Sequence, residues 1–382
     1  MTRPPWTTRT DYSDAPIFVC WETTKACLLR CRHCRARAIR NRQHGELTTV
    51  QGFGLIDQLL EFGDPYPALL LTGGDPLERP DFFELVEYAK SKGIYVAVAA
   101  SVTPRLNETS MLHMKNLNVD IMSVSLDGAL PESHDRLRGI RGTWKATIEV
   151  LRMSHDVDLR TQVNTTIMRS NVNELADIFH ITRSNGAVAW ELFFLIRTGR
   201  GASLETLGAS ECEEIMNFLC DTAQYGIPVR TAEGPSFRRV RIQRESGLEP
   251  SGEVYCKLTS QLRKLEGEPT SAPIFKSAHT ADGRGILFVS YRGEVYPSGF
   301  LPLDCGHVPK DNLRKIYRSH ALFRALRDPA NLKGRCGSCE YKLACGGSRS
   351  RAFAELNDSF EEDPICPYVP PHYLSEPQIS AS

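Results

Sequence analysis

Cys27, Cys31 and Cys34 fall within eight residues, in the run Thr24-Lys-Ala-Cys-Leu-Leu-Arg-Cys-Arg-His-Cys-Arg35. A turn of that length points three sulfurs at one centre, and thiolates suit iron–sulfur clusters or zinc. A cubane [4Fe–4S] cluster on three cysteines keeps one iron open, whereas structural zinc wants four protein ligands. His33 sits inside the motif, too close to its flanking cysteines to be the obvious fourth. Near the other end lie Cys336-Gly-Ser-Cys339, Cys345 and Cys366. Their mix of short and long spacing suits a complete four-thiolate site, for which zinc and [4Fe–4S] are rivals. A third stretch is Thr72-Gly-Gly-Asp-Pro76. Two glycines behind an apolar run let the backbone approach a ligand closely.

These groups must be held by regular elements. Ile17 to Cys20 reads as a strand that delivers the first cysteine loop at its C-terminal end. Thr48 opens a helix with Phe53, Ile56, Leu59 and Leu60 at helical spacing. Strands follow at Ala68–Leu71, Tyr95–Ala99, Ile121–Leu126, Leu159–Ile167 and Ala187–Ile196. Helices alternate with them, which indicates a parallel β/α architecture. Ser123, Ser125 and Asp127 reach the end of one strand, where such folds place their ligands. Asp127 reads as a substrate contact or a helix cap. Glu191, inside an apolar strand, needs a partner or a ligand, because burial without one is costly. Arg197-Thr-Gly-Arg-Gly201 reads as a carboxylate holder or a solvated turn.

With 382 residues the chain has room for one large domain and a small one. Its 46 basic and 46 acidic residues balance, so no long-range pull toward nucleic acid or anionic membrane is expected. No apolar run is long enough for a membrane span, and the polar start lacks a signal-peptide core, so a cytoplasmic location is expected. Twelve cysteines, several in Cys-x-x-Cys patterns, favour metal over disulfides. Cys20 reads as a buried thiol, and Cys212 and Cys220 as packing or surface thiols; Cys256 and Cys305 could contribute to a second site but lack a convincing set of four. The expected division is an N-terminal tail (1–16), a partial (β/α)6 TIM-like barrel (17–234), a linker or lid (235–284), a small cysteine-rich domain (285–370) and a C-terminal tail (371–382).

The Cys-x3-Cys-x2-Cys spacing resembles the signature of the radical SAM superfamily, with His33 in the place of an aromatic or histidine before the last cysteine. The resemblance implies a [4Fe–4S] cluster on Cys27, Cys31 and Cys34, whose open iron chelates S-adenosylmethionine. Reductive cleavage of that cofactor would give a 5′-deoxyadenosyl radical. Gly73, Gly74, Asp75 and Pro76 match the segment that binds the amino group of S-adenosylmethionine in this family. Ser125, Asn164 and Thr165 correspond to cofactor-contacting positions. The C-terminal half resembles a SPASM or twitch-like extension, which implies one auxiliary [4Fe–4S] cluster on Cys336, Cys339, Cys345 and Cys366. Ser298, Ser348 and Arg349 stand where many such extensions have cysteine, so the two-cluster pattern is broken.

The ending Cys-Gly-Gly-Ser-Arg-Ser-Arg-Ala, with Asp363-Pro-Ile-Cys366, looks closer to the tetrapyrrole-processing branch than to peptide maturases. The expected function is hydrogen abstraction and oxidative modification, including decarboxylation, of a small-molecule or cofactor precursor. The alternatives are maturation of a ribosomally made peptide, aided by a separate leader-binding protein, and an iron–sulfur electron carrier without radical activity. The resemblance also implies a reductant such as flavodoxin or ferredoxin. Glu191 and Asp127 are the catalytic candidates, with Asp304 and Tyr296 as further possible bases.

Overall fold

Apolar residues alternate along each short strand, and the two faces they define have different neighbours. In the computed structural model, which describes residues 11–275 and 280–374, the chain runs β1 (Phe18–Glu22), α1 (Thr49–Leu60), β2 (Ala68–Thr72), α2 (Phe82–Ser91), β3 (Val96–Ala99), α3 (Glu108–Asn116) and β4 (Ile121–Ser125). It continues through α4 (Pro131–Arg138), α5 (Thr143–Asp156), β5 (Thr161–Ile167), α6 (Leu175–Ser184), β6 (Ala189–Phe194), α7 (Ala209–Thr222) and β7 (Val229–Ala232). Then come α8 (Ser236–Glu245), α9 (Glu253–Glu266), β8 (Ile286–Val289), β9 (Val295–Tyr296), α10 (Leu313–Ser319), α11 (Ala321–Arg327), α12 (Gly334–Ser338) and α13 (Arg349–Leu356). Residues 1–10 and 375–382, parts of the two expected tails, lie outside the described residues.

The strands form one sheet of order β7-β6-β5-β4-β3-β2-β1-β8-β9. All neighbours are parallel except the β8–β9 hairpin. The order has two free ends, so the sheet is an open half-barrel, and the expected partial barrel is borne out. Val19, Trp21, Leu69, Leu71, Val96, Val98, Met122, Val124 and Val163 face the helices in the main core. The opposite, concave face begins with Ala68, Tyr95 and Ala97, packed with Phe18, Leu70 and Ile121. Polar residues then take over toward the C-terminal strand ends. This apolar plug closes the bottom of the half-barrel and leaves the top for chemistry.

Two features differ from the sequence reading. The stretch 235–284, expected as a linker or lid, contains α8 and α9, and α9 packs on α6 and α7. Its apolar pairs Phe237/Val240 and Leu258/Leu262 are buried at helical spacing, between arginines that make the segment look solvated. The strand expected to open the second domain, β8, instead pairs in parallel with β1, with Phe18 opposite Ile286. The sheet therefore runs on from the barrel into the C-terminal half.

Helix starts follow side-chain chemistry. Thr48 caps α1 in a reciprocal box with Gln51, and Asn107 caps α3 with Ser110. Removing the first cap with Thr48→Ala should cost about 1 kcal/mol. Differential scanning of parent and variant should show the variant melting a few degrees lower; equal melting would mean the box contributes nothing.

Candidate active site

The loop after β1 crosses the top of the half-barrel. Cys27 and Cys31 are buried in a small apolar group with Leu29 and Ala38, against which Cys34 and Ile140 pack. Each sulfur accepts a hydrogen bond, the environment that a thiolate requires. The Leu29 N–H reaches Cys27 Sγ at 3.4 Å and the Ala38 N–H reaches Cys34 Sγ at 3.4 Å. The Arg138 guanidinium reaches Cys31 Sγ at 3.5 Å. Ser101 Oγ lies 3.6 Å from Cys27 Sγ and donates to the Gly74 carbonyl at 3.0 Å. Burial pushes the Cys27 thiol up to about 11, so ionisation there calls for a bound cation.

Gly73–Pro76 docks directly on this loop. The Gly74 N–H donates to Thr24 O and the Asp75 N–H to Ala26 O, both at 2.7 Å. A Cβ on Gly74 would lie 2.2 Å from Ala26 O, so only glycine permits the approach. Asp75 is fully buried; its carboxylate accepts from Thr103 Oγ1 at 2.9 Å and from the Leu77 N–H at 3.3 Å. Burial raises its pKa to about 6 despite these bonds. Its side chain thus shapes the turn, and Pro76 begins the short helical turn that follows.

Ser125, Asn164 and Glu191 lie side by side in one row of the sheet, which ends on Arg230. Gln162 Nε2 donates to Asn164 Oδ1 at 2.7 Å and to Glu191 Oε2 at 2.8 Å. Arg230 completes an ion pair with Glu191 Oε2 at 2.6 Å. The partner that burial of Glu191 demanded is therefore Arg230. Thr165 does not join the row. Adjacent strand residues point to opposite faces, and Thr165 is fully buried on the helix side, donating to Leu126 O and accepting from Trp190 Nε1. Its expected cofactor contact is corrected to a packing role.

Asp127 is likewise engaged. One oxygen pairs with Arg138 and the other accepts the Thr166 N–H at 2.7 Å. Burial would raise its pKa, but Arg138, His33 and His134 hold it below the usual carboxylate range. A carboxylate so held positions Arg138 against Cys31; it is not a free base, and the expectation of a catalytic Asp127 is corrected on that ground. Burial lowers His33 to about 4, so its imidazole is neutral. Asp304 is exposed and accepts the Gly306 N–H at 3.0 Å. The Tyr296 phenol is pushed up to about 12, mainly by burial.

The 197–201 loop is neither a free carboxylate holder nor a solvated turn. Arg200 donates to Cys31 O at 2.8 Å and Ala38 O at 2.7 Å, and its N–H reaches Cys34 O at 3.0 Å. Gly199, at φ +59°, has its missing Cβ position 2.3 Å from Arg35 O. The strapping role of this segment and the roles of Ser101 and Arg138 at the sulfurs escape a sequence reading because each acts from a distant element. The arginine and glycine spacing of Arg197-Thr-Gly-Arg-Gly201 was the available signal.

Cys336, Cys339, Cys345 and Cys366 line one cavity. N–H groups of Gly347 and Asp363 reach Cys345 and Cys336 sulfurs at 3.4 Å each. Arg239 reaches Cys366 Sγ at 3.7 Å and Arg349 reaches Cys336 Sγ at 3.8 Å. Among the described residues no three Cys, His, Asp or Glu side chains converge on one ion-sized point. The fit to a metal centre rests instead on the donor sets and the hydrogen bonds around them. Ser298 Oγ bonds Ser350 Oγ at 3.0 Å, and Ser350 donates to Asp282 at 2.7 Å. Ser348 donates to Glu233 Oε2 at 2.5 Å, and Arg349 reaches carbonyls of Gly347, Ser359 and Glu361. Protein hydrogen bonds thus occupy these places where a cysteine pattern is broken. Cys305 is buried in the main core and Cys256 is exposed on α9.

The radical SAM superfamily model matches residues 21–181. An AdoMet-dependent heme synthase of Methanosarcina barkeri is 34% identical over 362 residues, covering 94% of this chain and 98% of that protein. Mycofactocin maturase MftC of Mycobacterium ulcerans is 28% identical over 339 residues, covering 87% of this chain and 83% of that protein. The solved structure of Streptococcus suis SuiB bound to S-adenosylmethionine shares the fold, with a TM-score of 0.70 at 13% identity, covering 93% of this chain and 78% of that one. The chain belongs to the radical SAM superfamily and is a radical SAM enzyme.

Glu233 ends β7 in a left-handed conformation (φ +55°), beside Ser348. Removal from water, with Asp282 and Asp363 nearby, raises its pKa from 4.5 to about 8. A folded state that holds its proton more tightly loses stability as pH rises between those values. Glu233→Gln should therefore gain on the parent in melting temperature from pH 5 to 8, while parallel profiles would contradict the assignment.

Proposed function

We propose that Cys27, Cys31 and Cys34 hold a [4Fe–4S] cluster, with Gly73–Pro76, His33, Ser125 and Asn164 around bound S-adenosylmethionine. When bound, the pair supplies a 5′-deoxyadenosyl radical able to abstract an unactivated hydrogen. The residues of the chain contribute position and exclusion of water. Gly74 lets the cofactor loop close on the cysteine loop, Arg138 and the backbone N–H groups stabilise thiolate charge, and Arg200 fixes the loop carbonyls. Glu191 is the residue proposed to hold or move a proton. Its Oε2 is bonded to Arg230 and Gln162, while its Oε1 has no hydrogen bond among the described residues.

Cys336, Cys339, Cys345 and Cys366 are assigned one auxiliary [4Fe–4S] cluster in a C-terminal extension of about 285–370. The cavity they share, with Arg239 and Arg349 beside the sulfurs, supports that reading. No helix of the described residues is long and apolar enough to cross a membrane. All twelve cysteines are unpaired, which fits the reducing cytoplasm. Anaerobic reconstitution should give about eight irons per chain, falling to about four when Cys27, Cys31 and Cys34 become Ala. About four falling to none would leave the C-terminal cysteines without a cluster.

The substrate is proposed to be a small-molecule or cofactor precursor, modified oxidatively, with carboxylated tetrapyrroles as the favoured class. The observation that carries this is the match to a heme synthase over nearly the full length of both chains. Peptide maturation is the second reading, supported by the weaker match to a mycofactocin maturase. Incubation with each candidate under reducing conditions separates them by mass. Loss of CO2 from a carboxylated tetrapyrrole is expected, and a modified peptide with an untouched tetrapyrrole would reverse the order.

A further inference from the structure

The concave side of the half-barrel carries two ion pairs, and in both the arginine is less buried than its carboxylate. Glu22 pairs with Arg35 at 2.9 Å, and their side chains are 6% and 23% exposed. Glu191 pairs with Arg230 at 2.6 Å, with 12% and 29% exposed. Each carboxylate thus anchors its arginine from the wall, and the rest of the guanidinium fork is left toward the open side. Both arginines spend only Nη2 on the anchor, and Arg230 Nε is buried with no hydrogen-bond partner among the described residues. The pairs lie far apart in the strand order, one at β7 and one at β1, yet they share a neighbour. Cys20 is half-buried on the same face as Phe18, two residues earlier. Burial pushes its thiol up to about 12, and the charges of Glu191, Arg35 and Arg230 all act on it. The curl of the sheet therefore turns both arginines to one space, beside the row of Ser125, Asn164 and Glu191. Aromatic rings wall it on the β8–β9 side. Arg35 Cζ lies 4.8 Å from the centre of the Phe288 ring and 5.8 Å from that of Phe300. Half-buried Tyr296 stacks on Phe288, with ring centres 6.1 Å apart and planes at 8°.

We propose that Arg35 and Arg230 are substrate-binding residues, each holding one carboxylate of a flat, conjugated polycarboxylate that lies against Tyr296 and Phe300. The inference rests on the tetrapyrrole reading above and deepens it by naming the residues that select the carboxylates. Three observations carry it. A guanidinium already anchored on one side offers its remaining N–H groups with little further loss of freedom, and a carboxylate accepts two of them. Two cations at separate points of one space select two anions on one rigid frame, a demand that a neutral peptide segment does not meet. Arg35 directly follows Cys34, and the strap after β6 pins that stretch through the Arg200 N–H on Cys34 O. A carboxylate held by Arg35 is therefore fixed beside the cysteine loop. The Tyr296 phenol, which burial keeps protonated, is a further donor on that wall.

The test is anaerobic binding of coproporphyrin III, a planar tetracarboxylate, to the full-length reconstituted protein, followed by its fluorescence. The variants are Arg35→Gln, Arg230→Gln and Glu22→Gln/Arg35→Gln, the last of which leaves no unpaired carboxylate in the wall. Each is expected to weaken binding about tenfold or more, the loss that removal of a charged hydrogen-bond partner brings. Added salt should weaken the parent's binding more steeply than that of the variants. Arg35→Lys should recover part of the affinity, because it keeps the charge and loses the fork. Iron content and the slow cleavage of S-adenosylmethionine without substrate should stay at parent values. Equal affinity in parent and variants overturns the proposal and leaves the tetrapyrrole reading standing. Loss of iron together with affinity in every variant also overturns it, by showing damage to the cysteine loop. If the parent itself binds no coproporphyrin III, the tetrapyrrole reading fails first and the proposal falls with it. Arginine-dependent binding of an acidic peptide by such a parent would assign the two arginines to peptide carboxylates instead.

Discussion

Residues 23–48 contain no helix or strand of their own, so the cysteine loop takes its shape from backbone groups of its neighbours. The glycine turn after β2 supplies two N–H donors from one side. The end of α4 supplies carbonyls from another, and Arg200 reaches across from the strap after β6. Each of these contacts is a hydrogen bond to the main chain, which leaves the sulfurs available. A loop held in this way has its backbone course fixed independently of its cysteine side chains. The cost is sensitivity: a single added methyl at Gly74 would push apart two segments that must touch.

The second organising effect is charge. A buried thiolate needs nearby positive groups or donors, because burial alone disfavours its ionised form. Both cysteine groups meet that need with arginine. Arg138 stands at Cys31, anchored by Asp127; Arg239 stands at Cys366, anchored by Glu213; Arg349 stands at Cys336, held by carbonyls. A guanidinium suits this duty because its planar fork can bind an anchor on one side and a sulfur on the other. The two cysteine groups lie at opposite ends of the sequence and share this arrangement without sharing a motif.

Much of the frame was legible from periodicity. The helix at Phe82–Ser91 and the strands of the half-barrel follow apolar patterns strong enough to read directly. The cysteine sets and the glycine turn were legible because metal and backbone chemistry restrict both residue type and spacing. What the pattern hid has physical causes. In α8 and α9 the buried face is narrow and charged residues are interleaved with it, four of them arginines in α8, so the segment reads as solvated. Asn164 and Thr165 are neighbours in sequence, but the pleat sends them to opposite faces, and only the row shared with Ser125 and Glu191 tells which is which. Arg138 and Arg200 are long-range partners, and no local spacing announces them.

The pairing of β8 with β1 has a consequence for biosynthesis. One edge of β1 is satisfied early, by β2, but the other waits for Ile286–Val289 to leave the ribosome. Contacts this distant in sequence form late and slowly. Throughout that interval the strand that carries the cysteine loop is an unprotected edge, a template for wrong pairing during synthesis. Completion of the frame beneath the first cysteine group is thereby tied to arrival of the segment that leads into the second. Topology alone ties the frame beneath the first cysteine group to synthesis of the second half of the chain.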